Sequence, residues 1–133
     1  MENTLAKSIG KLAGSIERIL IALRTRQFID HLNENVIPPT NDYYKFDVIH
    51  NRKYSKVILL TTHYGGHDSK SAWCFIDRTT GDVYKPASWK RPILKSGARF
   101  NLYDDDSMHD LFESADVAGR CLYKKNVSDR GTT

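Results

Sequence analysis

At 133 residues the chain has room for one domain, long enough to bury roughly two thirds of its unfolded surface around its own core. Its 40% hydrophobic and 27% charged residues exclude an intrinsically disordered or fibrous chain, and the net charge of +4 favours anionic partners. Two cysteines, Cys74 and Cys121, are too few for a disulfide framework, and their apolar neighbours mark both as small core residues. No continuous apolar run fits a secretory leader or a membrane span, so a cytoplasmic setting is expected.

Asn3 or Thr4 can cap a helix, after which Leu5, Ile9, Leu12, Ile16, Ile19 and Leu23 recur at alternating steps of four and three. Phe28, Ile29 and Leu32 continue the series, and the helix is expected to end by His31 or Asn35, before Pro38-Pro39. Gly10 and Gly14 weaken its start by about 1 kcal/mol each relative to Ala, or let another element approach. A helix of about 30 residues is about 45 Å long, more than so small a domain can cover. Three placements fit: a core helix across a sheet, a pair with a second chain, or an amphipathic helix on a membrane surface. Lys7, Lys11, Arg18 and Arg24 suit the last, whereas Glu2 and Glu17 oppose it.

Beyond Thr40-Asn41 the period drops to two. Tyr44, Phe46 and Val48 alternate with Lys45, Asp47 and Ile49, and a polar turn, His50 to Lys53, leads into a β-branched strand from Tyr54 to Thr62. Tyr64 to Lys70, with Gly65-Gly66, reads as a flexible loop, and Ala72 to Asp77 as the next strand. Alternation along that strand would point Cys74 away from Trp73 and Phe75. A turn at Thr79 to Asp82 uses Gly81 for a positive φ, and the return strand Val83-Tyr84 lies at an edge or stops before Pro86. Ser107 is expected to cap a short helix reaching Ala115, and Arg120 to Tyr123 to form a last strand. These elements define an α+β domain, a long N-terminal helix (residues 1–35) packed on a core (41–127) whose small antiparallel sheet has four to five strands. A frayed tail (128–133) follows.

His63 and His67 stand four apart, but the intervening glycines remove the helix that would align them on a metal, so loop histidines are expected. Cys74 between Trp73 and Phe75 reads as a buried thiol, and Asp104-Asp105-Asp106 as a solvated cluster at a helix start. No phosphate-cradling loop or nucleophile elbow occurs. The expectation is therefore no enzyme, no metal and no cofactor.

The stretch Val83 to Tyr103 is different. It carries Lys85, Lys90, Arg91, Lys95 and Arg99 with no carboxylate, and interleaves them with Tyr84, Trp89, Phe100 and Tyr103. Cations displace counterions from phosphates and aromatic rings stack on bases, so these residues suit a nucleic acid. The start of the stretch is positioned by the sheet, and from Pro86 onward an irregular loop anchored by Trp89 is expected. The candidate binding residues are Lys85, Trp89, Lys90, Arg91, Lys95 and Arg99, with single strands favoured.

Within Trp73 to Asn101, the segments Cys74-Phe75-Ile76-Asp77, Thr80-Gly81-Asp82-Val83, Lys85-Pro86-Ala87-Ser88-Trp89-Lys90 and Gly97-Ala98-Arg99 resemble small bacteriophage proteins of no established activity. The resemblance implies a viral source, hence a place in the host cytoplasm or the virion, and contributes no catalytic residue. Two functions follow as expectations: a non-enzymatic nucleic-acid-binding protein, or an assembly protein of a virus particle that oligomerises through the N-terminal helix.

Overall fold

The computed structural model describes residues 2–123, with side chains from residue 14 onward. The expectations for the side chains of Leu5, Lys7, Ile9, Gly10, Lys11 and Leu12, and for the tail 128–133, lie outside the described residues. Helix α1 (Glu2–Asn35) is followed by strands β1 (Tyr43–His50), β2 (Tyr54–Thr62), β3 (Asp68–Asp77), β4 (Asp82–Tyr84) and β5 (Phe100–Asn101). Helices α2 (Asp105–Ser114) and α3 (Arg120–Tyr123) complete an α+β chain. The five strands pair antiparallel in chain order, so each finds its partner through the next connection. Among the described residues no helix is long and apolar enough to cross a membrane.

One sheet face meets α1. Ile21, Thr25, Phe28, Ile29 and Leu32 are buried there against Phe46, Val57, Trp73, Cys74, Ile76 and Val83. Phe28 supplies the centre: its ring lies 5.6 Å from Trp73 and 5.2 Å from Phe112 of α2, each such pair adding about 0.5–1.5 kcal/mol beyond burial. The seam Ile16, Ile19 and Leu23 is exposed, so of the three placements the core-helix one does not hold for these residues. Phe28, Ile29 and Leu32 do not continue that seam: they bury on the opposite side of the helix, together with Ile21 and Thr25.

Two polar side chains, Asn33 and Arg24, fix the angle of α1. Asn33 receives the Phe46 N–H at 2.8 Å and donates to the Phe46 carbonyl at 2.9 Å, so it closes one backbone pair on the free edge of β1. Arg24 donates to the carbonyls of Leu102 and Tyr103 at 2.8 and 2.9 Å and pairs with Asp105 at 2.6 Å. It is therefore a clamp, not a free cation of the polar face.

Several local expectations are corrected. β3 begins at Asp68, so the flexible connection is confined to the turn around Gly65 and Gly66, whose φ angles are 111° and 95°. Val57 pairs with Cys74 but Ile58 with Ala72, which makes Trp73 an extra residue in β3. This bulge breaks the alternation and lets Trp73 and Cys74 enter the same core while Phe75 faces the other side. Asp104, not Ser107, caps α2 by accepting the Asp106 N–H, and Ser107 accepts the Asn101 N–H instead. Arg120 to Tyr123 is a helical turn, not a strand: Asp116 accepts the Arg120 N–H and orders its start.

Candidate nucleic-acid interface

β4 stops at Tyr84, one residue before the restriction that Pro86 imposes. The chain then makes a narrow finger rather than an irregular loop. The Ile93 N–H donates to Lys85 O at 2.9 Å, Pro86 pairs with Pro92, and the amides of Ala87 and Ser88 donate to Arg91 O. The Ser88 hydroxyl accepts the Lys90 N–H at 3.2 Å, which leaves Trp89-Lys90 at the tip. A second turn, Leu94 to Gly97, uses φ 80° at Gly97, and the Arg99 N–H then returns to Val83 O at 2.8 Å to begin β5.

The finger tip lies over the sheet face turned away from α1. Lys56 Nζ stands 3.8 Å from the centre of the Trp89 ring and 5.9 Å from that of Phe75. Phe75 and Tyr84 meet Tyr54 edge-on at 6.1 and 6.4 Å, and Lys53 Nζ lies 5.4 Å from the Tyr54 ring. Burial, chiefly, and the nearby Asp82 raise the Tyr84 hydroxyl pKa, so Tyr84 stays neutral. An aromatic floor with two lysines and a tryptophan lid thus borders Lys90 and Arg91.

The six candidate residues do not form a single patch. Trp89, Lys90 and Arg91 are contiguous at the tip, all exposed, with Trp89 39% exposed despite its contact with Lys56. Lys85 belongs to the other side, its Nζ 5.3 Å from the Tyr123 ring of α3. Lys95 sits exposed on the second turn. Arg99 is half-buried, and its Nε is enclosed without a hydrogen-bond partner. Among the described residues none of these five cations is ion-paired. Sequence reasoning missed Lys56, Lys53 and Tyr54. Lys56 breaks the apolar run of β2, a signal that a charged group there has an aromatic partner.

A second polar cluster joins the turn before β1 to the β2–β3 turn. His63 Nδ1 is 3.2 Å from Asp42 Oδ2, His63 Nε2 is 3.0 Å from the Ser69 hydroxyl, and the His67 ring stacks on His63 at 4.3 Å. Asp42 also accepts the Tyr64 N–H at 2.9 Å. Carboxylate, imidazole and hydroxyl stand in the order of a nucleophilic triad. The nearby cavity of about 480 Å³ is lined by Asp42 and by Leu32, Val36, Pro38 and Phe46, and neither His63 nor Ser69 borders it. The cluster ties two connections together. Among the described residues no group of three His, Cys, Asp or Glu side chains is placed to hold a metal. Burial raises the Cys74 thiol well above its ordinary pKa and pushes Cys121 up to about 11, so neither is an activated thiolate at neutral pH.

Fold and site together define an α+β protein with a basic, aromatic finger laid across the outer face of its sheet. The chain belongs to a family of unknown function, DUF7717, whose model matches residues 3–124. That match extends far beyond the Trp73–Asn101 segment and says nothing of a viral source. Comparison with curated proteins found no match, and comparison with solved structures found none either.

Proposed function

We propose that the chain is a non-enzymatic nucleic-acid-binding protein that holds phosphates with the exposed cations around the finger tip, Lys90 and Arg91 first, and stacks a base on Trp89. The observation that carries this reading is the finger tip. Lys56 polarises one face of the Trp89 ring, the ring remains partly open to solvent, and the adjacent Lys90 and Arg91 have no carboxylate partner. A base on an aromatic ring contributes about 1–3 kcal/mol without regard to its identity, and unpaired cations gain from counterion release. Single strands are favoured because only an unpaired base presents a free face to Trp89. The viral setting rests on the resemblance of the Trp73–Asn101 segments, and genome handling is the role it would give this activity.

Fluorescence anisotropy of a labelled oligothymidylate, titrated at several salt concentrations, tests the reading. With three to five phosphate contacts, log K against log salt should have a slope of about −2 to −3.5. Lys90→Ala/Arg91→Ala should flatten it by about 1.4, whereas Trp89→Ala should weaken binding about tenfold and leave the slope unchanged. No anisotropy change at low salt would refute the proposal.

A further inference from the structure

Lys56 is only 7% exposed, in the middle of the sheet face that the finger crosses. Phe75 stands opposite it in β3 and Ile58 two residues on in β2, both buried but outside the core beneath α1. The Trp89 ring closes over the ammonium at 3.8 Å. Among the described residues Lys56 belongs to no ion pair. Two carboxylates lie diagonally from it on the same face, and both turn to backbone amides. Asp47 Oδ1 accepts the Val48 N–H at 2.8 Å, and Asp77 Oδ1 accepts those of Thr79 and Thr80 at 2.8 and 3.1 Å. A buried ammonium loses more in hydration than ring faces return, so Lys56 is short of an anion.

The surroundings of Lys56 select the kind of anion. Its Nζ, unlike Arg99 Nε, is not sealed off, so it meets solvent at the rim of the Trp89 ring. The neighbouring walls are the rings of Trp89, Phe75 and Tyr54, surfaces on which a base or a sugar can lie. An internal phosphodiester carries a sugar on both sides and suits exposed cations such as Lys90 and Arg91. A phosphate monoester at a strand end hangs on a single ester bond, so it can reach past the edge of a ring to a recessed cation. It also brings about −1.5 to −2 charge at neutral pH, against −1 for each internal phosphate.

We infer that Lys56 receives the phosphate monoester at the end of a single strand. The terminal base stacks on the open face of Trp89, and Lys90 and Arg91 hold the phosphates that follow. This inference rests on the proposed single-strand binding and adds which part of the strand is recognised, its phosphorylated end.

Anisotropy titrations of the full chain with oligothymidylates of one length, unphosphorylated, 5′-phosphorylated or 3′-phosphorylated, test it. A phosphorylated end should bind about tenfold tighter than the unphosphorylated strand, the return of one contact to a charged group. Lys56→Met keeps the apolar stem and drops the charge, so it should fold as the wild type does and bring that ratio to about one. Lys90→Ala/Arg91→Ala should weaken all the strands and keep the ratio. Thymidine monophosphate should compete far more weakly than the phosphorylated strand. Equal affinity for every strand, already decisive in the wild type, or a ratio that survives Lys56→Met overturns the inference and leaves the nucleic-acid reading standing. A monophosphate that competes as well as the strand would assign Lys56 to free nucleotides and overturn it too. Failure of every strand to bind removes both readings together.

Discussion

Gly119 holds φ +67°, and a Cβ there would stand 3.3 Å from Trp73 Nε1 and 3.4 Å from Cε2. The same indole donates to Asp116 O at 3.0 Å, so the turn before α3 is shaped around the tryptophan that the β3 bulge pushes into the core. Gly119→Ala combines left-handed strain with crowding against a ring packed on Phe28 and Phe46, and should cost about 1–2 kcal/mol. Thermal denaturation should show a drop of several degrees, accompanied by a changed near-ultraviolet tryptophan signal. Gly14→Ala is the contrast. It lies within α1 with open space around it, and should instead add up to about 1 kcal/mol. The sequence marks Cys74 as a core residue by its apolar neighbours, and alternation would point Trp73 to the other face. It does not reveal that Trp73 enters the same core as Cys74, because one extra residue in β3 is visible only once β2 is laid beside it.

At the level of elements, the weak point of the architecture is the attachment of α1, whose 34 residues outrun the sheet. Arg24 holds the end of β5 through two carbonyls, with its side chain only 17% exposed. Removing it leaves those carbonyls short of a charged donor, and Arg24→Ala should destabilise the fold by about 1.5–3 kcal/mol in urea denaturation. Asp105→Ala should cost about 0–1 kcal/mol, since that carboxylate is exposed and water screens the pair. If the two variants were equally damaging, the ion pair rather than the carbonyl clamp would be the attachment. The same element shows what local sequence can carry. Strand alternation and the Gly81 turn predicted the meander, because each strand pairs with its neighbour in the chain. The phase of α1 does not follow from the sequence, because two apolar series share the helix and only the tertiary fold decides which one is covered. The basic stretch was recognisable from its one-sided charge, but not the partition of its residues. Lys85 lies beside Tyr123 and Trp89 over Lys56, and that separation depends on where the finger folds across the sheet.

For the molecule as a whole, the displaced pKa values act in one direction on acidification. Partial burial, then the charge of Arg78, holds the His50 pKa below its ordinary 6.5, with its Nδ1 2.7 Å from the Ser55 hydroxyl. The unfolded chain therefore binds the His50 proton more readily than the native one. Stability from this group is complete above pH 6.5 and is lost as pH falls through the lower native value. Asp42 is held below its ordinary 3.8 chiefly by the Tyr64 N–H. Asp116 is also lowered: burial opposes this, but hydrogen bonds from Arg120 prevail. Both carboxylates contribute stability above 3.8 that disappears below it. The melting temperature should thus fall in two stages, one starting below pH 6.5 and a second below 3.8. His50→Gln should remove the first stage and leave the second. Asp42→Asn should reduce the second and loosen the His63–Ser69 connection, which hydrogen exchange at the Tyr64 amide would report. An unchanged first stage in His50→Gln would place the acid sensitivity in another histidine.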